Sequence, residues 1–463
     1  MSTATDPPRV RTVIVGAGIT GLTAGITLQR NDHPPVILEC SDRPGGVIRS
    51  ERAGDFLFEH GPNSLMKKSA PVDDFLSSLS LSDQICEARS ISSNRFVLRD
   101  GILHMIPTGL LAFLTTNLLS VPGKLRAVTE PFRSPQPADD RESLAGLIER
   151  RFGAEILNYL VDPFVAGVYA GSPEDLEASA MSSVASWDRE HGSILKGALA
   201  SNLEKDATPD SSVERALVSF DDGLDTLPRT IARRLSDQIR YNTRVDRIEP
   251  VPEKDQFDLH YTENGERTGT LRARNVVLTV PARTAADLLD GLSPDPTPAL
   301  RSIPYPPLAS VFFGYETYRG EHPLNGFGFL VPSRENRSIL GSLWTSSIFP
   351  GRAPADGAAM TTFVGGGRDP ELARKPKSEL RDLVYRELDD LINLSAEPAR
   401  VRVKKWDHAI PQYTPGHGRR VEQLRQFEER NPGLYIRGNY TDGVSVPACI
   451  ENGRETAAQI EPS

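Results

Sequence analysis

A chain of 463 residues is too long for one ordinary hydrophobic core, so two or more domains are expected, with room to enclose a large cofactor. Its 62 acidic against 53 basic side chains leave a net charge of −9, which gives no electrostatic footprint for nucleic acid, and no such partner is expected. Cys40, Cys86 and Cys449 stand far apart and outside any Cys/His ligand spacing, so reduced thiols in a cytoplasmic setting and no metal site are expected. The opening stretch MSTATDPPRVRTVIVG has no charged start followed by an apolar run of the secretory kind. Nowhere do eighteen uncharged apolar residues follow one another; the nearest approach is GLLAFLTTNLLSVPG, at 109–123, too short to span a bilayer.

In chain order, RTVIVGAG (11–18) reads as a buried strand, TGLTAGITLQR (20–30) as a helix, and PPVILE (34–39) as a second strand. From Ser143 to Val161 the apolar residues fall mostly on one helical face, with Gly153 placed to divide the segment. Polar, proline-bearing stretches at 132–142 and 204–212 bracket that region as they would an inserted subdomain. Alternation around Asn264-Gly265 predicts an antiparallel meander over 239–281. Strands follow at 308–315, 326–332 and 338–344, then a helix over 377–393. The last piece, 433–460, reads as strand, glycine-bearing turn and helix, with Pro447 in the helix's first turn.

Chemistry enters at Gly16, Gly18 and Gly21, a GxGxxG set between strand and helix that lets backbone approach a pyrophosphate on the helix's N–H groups. Glu39 ends the second strand about 20 residues on, where an acid accepts hydrogen bonds from an adenosine ribose. A structurally neutral glycine turn would not require that acid. An acid there also disfavours a 2′-phosphate, which would want an arginine.

Directly behind it, Arg43, Gly45 and Gly46 resemble the RxGG continuation of the flavoproteins that include amine oxidases, carotenoid desaturases and porphyrinogen oxidases, which favours FAD over NAD. From end to end the chain resembles the oxygen-dependent protoporphyrinogen oxidases. The matching stretches are VDPFVAGVYAGSPEDLE (161–177), GNYTDGVSVPACIENG (438–453), EHGPNS (59–64) and DGLDTLP (222–228), where Asp222 stands in place of a second glycine. The resemblance implies an α/β fold with a Rossmann-like FAD-binding domain from 1–70, 213–290 and 400–463. It also implies a mixed-sheet substrate domain from 71–100 and 291–399, and an inserted helical subdomain over 101–212 that contacts the membrane surface.

The implied reaction removes six electrons from protoporphyrinogen IX in three flavin cycles, each ending with dioxygen reduced to hydrogen peroxide; coproporphyrinogen III is the alternative substrate. Such chemistry asks the site mainly to orient a flat apolar ring and clamp its propionates, since non-covalent FAD accepts the hydride. By resemblance, Arg95 pairs with a propionate, the other reading being a surface arginine on a strand edge. Lys67 and Lys68 either hold a further carboxylate or form a charged face. Phe327, Leu330 and Phe363 match ring-contacting positions, or simply pack a core. Gly167 gives the macrocycle close access to backbone, or ends a helix.

On the cofactor side, Gly61, Gly438, Val444, Ser445 and Val446 match flavin-facing positions, and the Val245 backbone matches one that meets adenine. Cys449 is expected to be a packed thiol, not a covalent flavin link. A flavin amine oxidase and a flavin-binding protein without turnover are the readings from other classes. A cytoplasmic protein, peripheral on the inner face of the cell membrane, is expected, with a homodimer left open.

Overall fold

The structure is a computed structural model that describes residues 6–67, 70–133, 142–207, 216–251, 254–293 and 295–460. Lys68 and most of the two proline-bearing stretches expected to bracket the helical region lie outside the described residues.

The first sheet is organised by one long strand, Arg267–Leu278, whose two halves do different work. Its second half is buried on both faces and runs parallel to Arg9–Val15 on one side and to Leu434–Ile436 on the other. Val36–Leu38 and Ile239–Arg240 extend this parallel part outward. Its first half alternates exposed and buried residues and turns antiparallel, pairing with Phe257–Glu263, which pairs with Thr243–Pro250. Asn264 and Gly265, at φ of 52° and 77°, make the expected hairpin turn, whose geometry needs two left-handed residues. The helices Ile19–Arg30 and Val446–Gln459 pack against each other beside this sheet, and Gly453 permits it: a Cβ there would sit 2.5 Å from the Thr20 carbonyl oxygen.

The second sheet runs in the order Arg400–Trp406, Leu308–Tyr315, Ala358–Gly365, Gly341–Leu343, Gly328–Leu330, Arg95–Arg99, Ile102–Met105. Among the described strands of this sheet only the Gly328–Leu330 and Arg95–Arg99 pair is parallel. One face is sealed by Leu380, Val384, Leu388 and Ile392 of helix Lys377–Ile392 packed on Val311, Phe313, Phe329 and Met360. The opposite face carries the candidate substrate residues.

Two segments pack differently from the expected division at 71 and 400. Strand Arg400–Trp406 hydrogen-bonds along Leu308–Tyr315 and so completes the second sheet. Helix Ala70–Ser78 puts Val72, Phe75 and Leu76 into the core beneath the glycine turn, and Ile85–Glu87 pairs with Ala216–Phe220, so this stretch sits with the first layer.

Gly153, at φ +90°, ends helix Leu144–Phe152. The chain restarts at Ala154 and passes through a π-turn at Leu157–Val161, just before Pro163, which cannot donate into a regular ladder. Helix Asp162–Tyr169 follows and is fastened to the second sheet at both ends. The Asp162 carboxylate accepts from Arg368 Nη2 at 2.9 Å and from the Ser333 N–H at 2.7 Å. At the other end the Gly367 N–H donates to the Ala170 carbonyl at 2.7 Å, an approach open only because Gly366 has no Cβ, which would lie 2.5 Å from that oxygen. Replacing Arg368 by Met leaves the buried Asp162 charge unpaired. Stability should fall by about 3–5 kcal/mol in denaturant titration, and a loss under 1 kcal/mol would show that the pair does not hold the helix.

Candidate functional site

The turn from the first strand into the first helix is built around two glycines that cannot be replaced. At Gly21 a Cβ would lie 2.1 Å from the Gly16 carbonyl oxygen, and Gly16 itself adopts φ +105°. Gly18 is different: its backbone is extended and nothing lies within 4 Å of where its Cβ would be. Helix Ile19–Arg30 starts there with no side-chain cap and no acid in its first turn. Free N–H groups and the helix's positive end therefore face open space, which fits an anion.

The second glycine turn abuts the first. Gly45, at φ +100°, donates its N–H to the Ala17 carbonyl at 2.8 Å, and Gly46, at φ +59°, stands over Gly18. Arg43 does not reach into the cradle; its guanidinium donates to the carbonyls of Pro44, Gly46 and Ile48 and so fixes the turn's shape. Glu39 is buried at the end of Val36–Leu38, its Oε2 accepting the Ala17 N–H at 2.7 Å and its Oε1 the Ser41 N–H and hydroxyl at 2.8 and 2.7 Å. The Cys40 thiol also donates to Oε1, at 3.6 Å, so the remaining capacity for a sugar hydroxyl is on Oε2, which has the one partner. Val245 lies buried in Thr243–Pro250, at a register shift beside this end of the sheet. Cradle, acid and strand end fit a dinucleotide.

Around the expected ring end, Gly61 packs so closely on Val47 that a Cβ would stand 2.2 Å from its carbonyl oxygen. Trp406 Nε1 donates to the His60 carbonyl at 3.1 Å, and Lys404 Nζ lies 4.1 Å from the Trp406 ring centroid. Burial and the nearby Arg49 and Arg43 hold the Lys404 ammonium below the usual lysine range. Neither Trp406 nor Lys404 is marked by a motif in the sequence; strand pairing brings them here. Asp222, the departure from the glycine pair, is exposed and faces Arg52 at 3.4 Å, while Gly223 makes the tight contact, over Ser50. An acid at 222 thus disturbs nothing.

The C-terminal turn is pinned from within. Asn452 Nδ2 donates to Thr441 Oγ1 and Asp442 Oδ2, at 3.1 and 2.9 Å, and Ser445 caps helix Val446–Gln459 through the Ala448 N–H. Gly438 lies against the Tyr440 ring, and Val444 is half-buried. Cys449 is 7% exposed and burial pushes its thiol up to about 11, so it is a poor nucleophile.

Register places the substrate candidates. Val97, Leu330, Gly341, Phe363, Ser310 and Lys404 form one row across the second sheet, with Arg95 and Gly328 in the next row on the same face. Helix Asp162–Tyr169 covers the centre of the row: Phe363 packs with Ala166 and Ala170, and a Cβ on Gly167 would lie 2.4 Å from Leu330 Cδ2. Gly167 is interior to its helix, so it is there for close approach and not as a helix end. Arg95 is exposed at the strand start, its guanidinium 5.0 Å from the Phe327 ring centroid, and no acid pairs with it among the described residues. Lys67 Nζ is held by Asp73 at 2.8 Å.

Residues 19–461 match the family described as flavin containing amine oxidoreductase. A chloroplastic protoporphyrinogen oxidase of Nicotiana tabacum is 32% identical, covering 97% of this chain and 85% of that one. A coproporphyrinogen III oxidase of Bacillus subtilis is 26% identical, covering 96% of both. In fold, the chain superposes on a candidate protoporphyrinogen oxidase from Exiguobacterium with a TM-score of 0.80 at 24% identity, covering 99% of each.

The cradle is tested by Gly18→Leu, whose Cβ would meet nothing within 4 Å in the flavin-free fold. Its stability without flavin should stay within ~0.5 kcal/mol of wild type, yet it should retain no flavin through gel filtration. Yellow protein eluting from the column would place the cofactor elsewhere.

Proposed function

The chain belongs to the flavin-containing amine oxidoreductases, and we propose that within that family it is an FAD-dependent porphyrinogen oxidase that converts protoporphyrinogen IX to protoporphyrin IX. The observation that carries this reading is one sheet face combining an apolar centre, where Gly167 lets its helix pack closely on Leu330 beside Phe363, with a cation at its edge, Arg95, that pairs with no acid among the described residues. The names of the relatives agree with it. Bound FAD would supply the hydride acceptor, with dioxygen as terminal oxidant and hydrogen peroxide as product.

The residues then bind and orient. Gly18 and the first helix's N–H groups hold the pyrophosphate, Glu39 the ribose, and the Gly438 and Val444–Val446 turn meets the ring. Arg95 takes a propionate by a charge-assisted bond, while Leu330 and Phe363 exclude water from the ring's underside. An amine oxidase would want an aromatic cage around a neutral amine and no cation at the edge. The Lys67 pairing with Asp73 takes up a charge that a substrate with more propionates would use, which favours protoporphyrinogen over coproporphyrinogen.

Contact with a membrane is a separate part of the reading. Among the described residues no helix is long and apolar enough to cross one. Helices Leu110–Thr115 and Val121–Val128 instead expose Leu110, Leu111, Val121 and Leu125, and Phe132 follows at 88% exposure. Over 101–133 the basic residues are Lys124, Arg126 and Arg133, and the one acid, Glu130, is wholly buried. In a chain of net charge −9 this apolar, locally basic patch suits an anionic lipid surface.

Two measurements follow. With porphyrinogen supplied in air, porphyrin fluorescence and peroxide should rise together. Arg95→Ala should raise KM about ten- to a hundredfold, the worth of ~1.5–3 kcal/mol for a charge-assisted bond, and an unchanged KM would return Arg95 to the surface. In flotation with phosphatidylglycerol vesicles the protein should rise with lipid, and the double variant Leu111→Ser, Phe132→Ser should stay below. Equal flotation of both would clear the patch of that role.

A further inference from the structure

Dehydrogenating a porphyrinogen releases protons as well as hydrides, and a buried acid next to the substrate face has no part in the scheme above. Glu59, 6% exposed, starts the EHGPNS stretch. Its Oε2 accepts the Ser50 hydroxyl at 2.6 Å and its Oε1 the Leu224 N–H at 2.8 Å, which leaves lone pairs on both oxygens. Glu59 also lines a small, partly open cavity of about 10 Å³, room for roughly one water. Phe327 and Leu343 form the wall toward the substrate face; Asn63, Thr345 and Arg352 supply polar lining, and Leu57, Ile348 and Phe349 the apolar rest. Of these residues, Asn63 Oδ1 and Thr345 Oγ1 are buried without a hydrogen-bond partner, which a water there would supply.

We propose that Glu59 is the proton acceptor of the oxidation, reached from the substrate at Phe327 through one water held by Asn63 and Thr345. The inference rests on the porphyrinogen reading. In each two-electron cycle one methylene C–H bond would break and its electron pair leave with the hydrogen as hydride, for which bound flavin would be the acceptor. The ring would also release one proton through the water to Glu59, from a pyrrole N–H in two of the three cycles and from the fourth methylene bridge in the other, the bonding electrons staying in the ring. With dioxygen as oxidant, the hydride's hydrogen and the proton returned from Glu59 would complete one hydrogen peroxide per cycle. Over three cycles four C–H and two N–H bonds are lost, which is the difference between porphyrinogen and porphyrin.

Electrostatics support the geometry. Burial raises the Glu59 carboxyl from 4.5 to about 7, against the lowering effect of its two donors and of Arg352. The charged group facing Glu59 is Arg352, and around the two stand Asp225 and Asp221 from the adjoining loops, Arg52 from the Ser50–Ala53 strand and Cys86 from Ile85–Glu87. Arg352 is itself 2% exposed, bonded to Ser219 Oγ and the Phe220 carbonyl. Burial raises the Cys86 thiol above its ordinary 9.0, away from neutrality.

The test uses flavin-loaded protein and Glu59→Gln, which preserves shape and an acceptor for Leu224. A base must be ionised, so wild-type kcat/KM should climb with pH through about 7. The variant should lose that limb and run on the order of a hundredfold slower at alkaline pH. A second readout needs no turnover. The folded protein keeps this proton to about pH 7 while the unfolded chain releases it near 4.5, so wild-type stability should decline between those values and the variant's should not. A flattened stability curve with the rate limb intact would show that Glu59 titrates without accepting the substrate's proton, and would overturn the proposal. Thr345→Val, which removes a water partner and leaves the acid, should slow the alkaline rate with the limb still near 7; an unchanged rate would equally overturn it. If wild-type protein turns over no porphyrinogen, the functional reading itself has failed, which the stability curves distinguish.

Discussion

The whole arrangement hangs from a turn too tight for a side chain. Gly21 packs onto the Gly16 carbonyl so closely that the first strand delivers the first helix's N-terminus directly over the sheet's edge. That placement fixes where the uncapped N–H groups point, where Glu39 must lie to meet Ala17, and where the Gly45–Gly46 turn can close down. It also fixes the last helix, because Gly453 lies against Thr20 in the first turn of Ile19–Arg30. Both ends of the chain thus share one contact, and a side chain at either glycine would separate them.

A second constraint works at the other sheet. Helix Asp162–Tyr169 presents Gly167 to Leu330 only because its two ends are tied, by Asp162 to Arg368 and Ser333, and by Ala170 to Gly367. The π-turn before it and the left-handed Ala170 after it are strained conformations that these ties hold in place. A wall with so little side chain at its centre must be positioned from its edges, which explains why a buried ion pair sits in the signature stretch.

What could be read from the sequence follows from where the information is local. The GxGxxG turn, Glu39, the Asn264-Gly265 hairpin and the helix break at Gly153 all depend on backbone geometry that a few neighbouring residues dictate, and the structure has each of them. The second sheet is different: its order interleaves strands from 95–105, 308–365 and 400–406, so no local pattern places Arg400–Trp406 beside Leu308–Tyr315. Trp406, Lys404 and Arg368 escape notice for the same reason. Arg43 is legible as part of RxGG, but whether a guanidinium reaches a ligand or three carbonyls of its own turn is decided by side-chain geometry alone.

The charge distribution completes the picture. A protein of net charge −9 repels an anionic tetrapyrrole at a distance, yet the Debye length at physiological salt is about 8 Å. Beyond that range the overall charge counts for little, and within it single cations decide. Arg95 stands exposed over Phe327 at one end of the substrate face, and Lys404, with Arg43 and Arg49 near it, stands at the other. Lys67, which could have added to them, is spent on Asp73. On the proposed reading, recognition of the acidic arms falls to these few cations, which pair with no acid among the described residues, and the apolar centre between them contributes area without choosing an orientation.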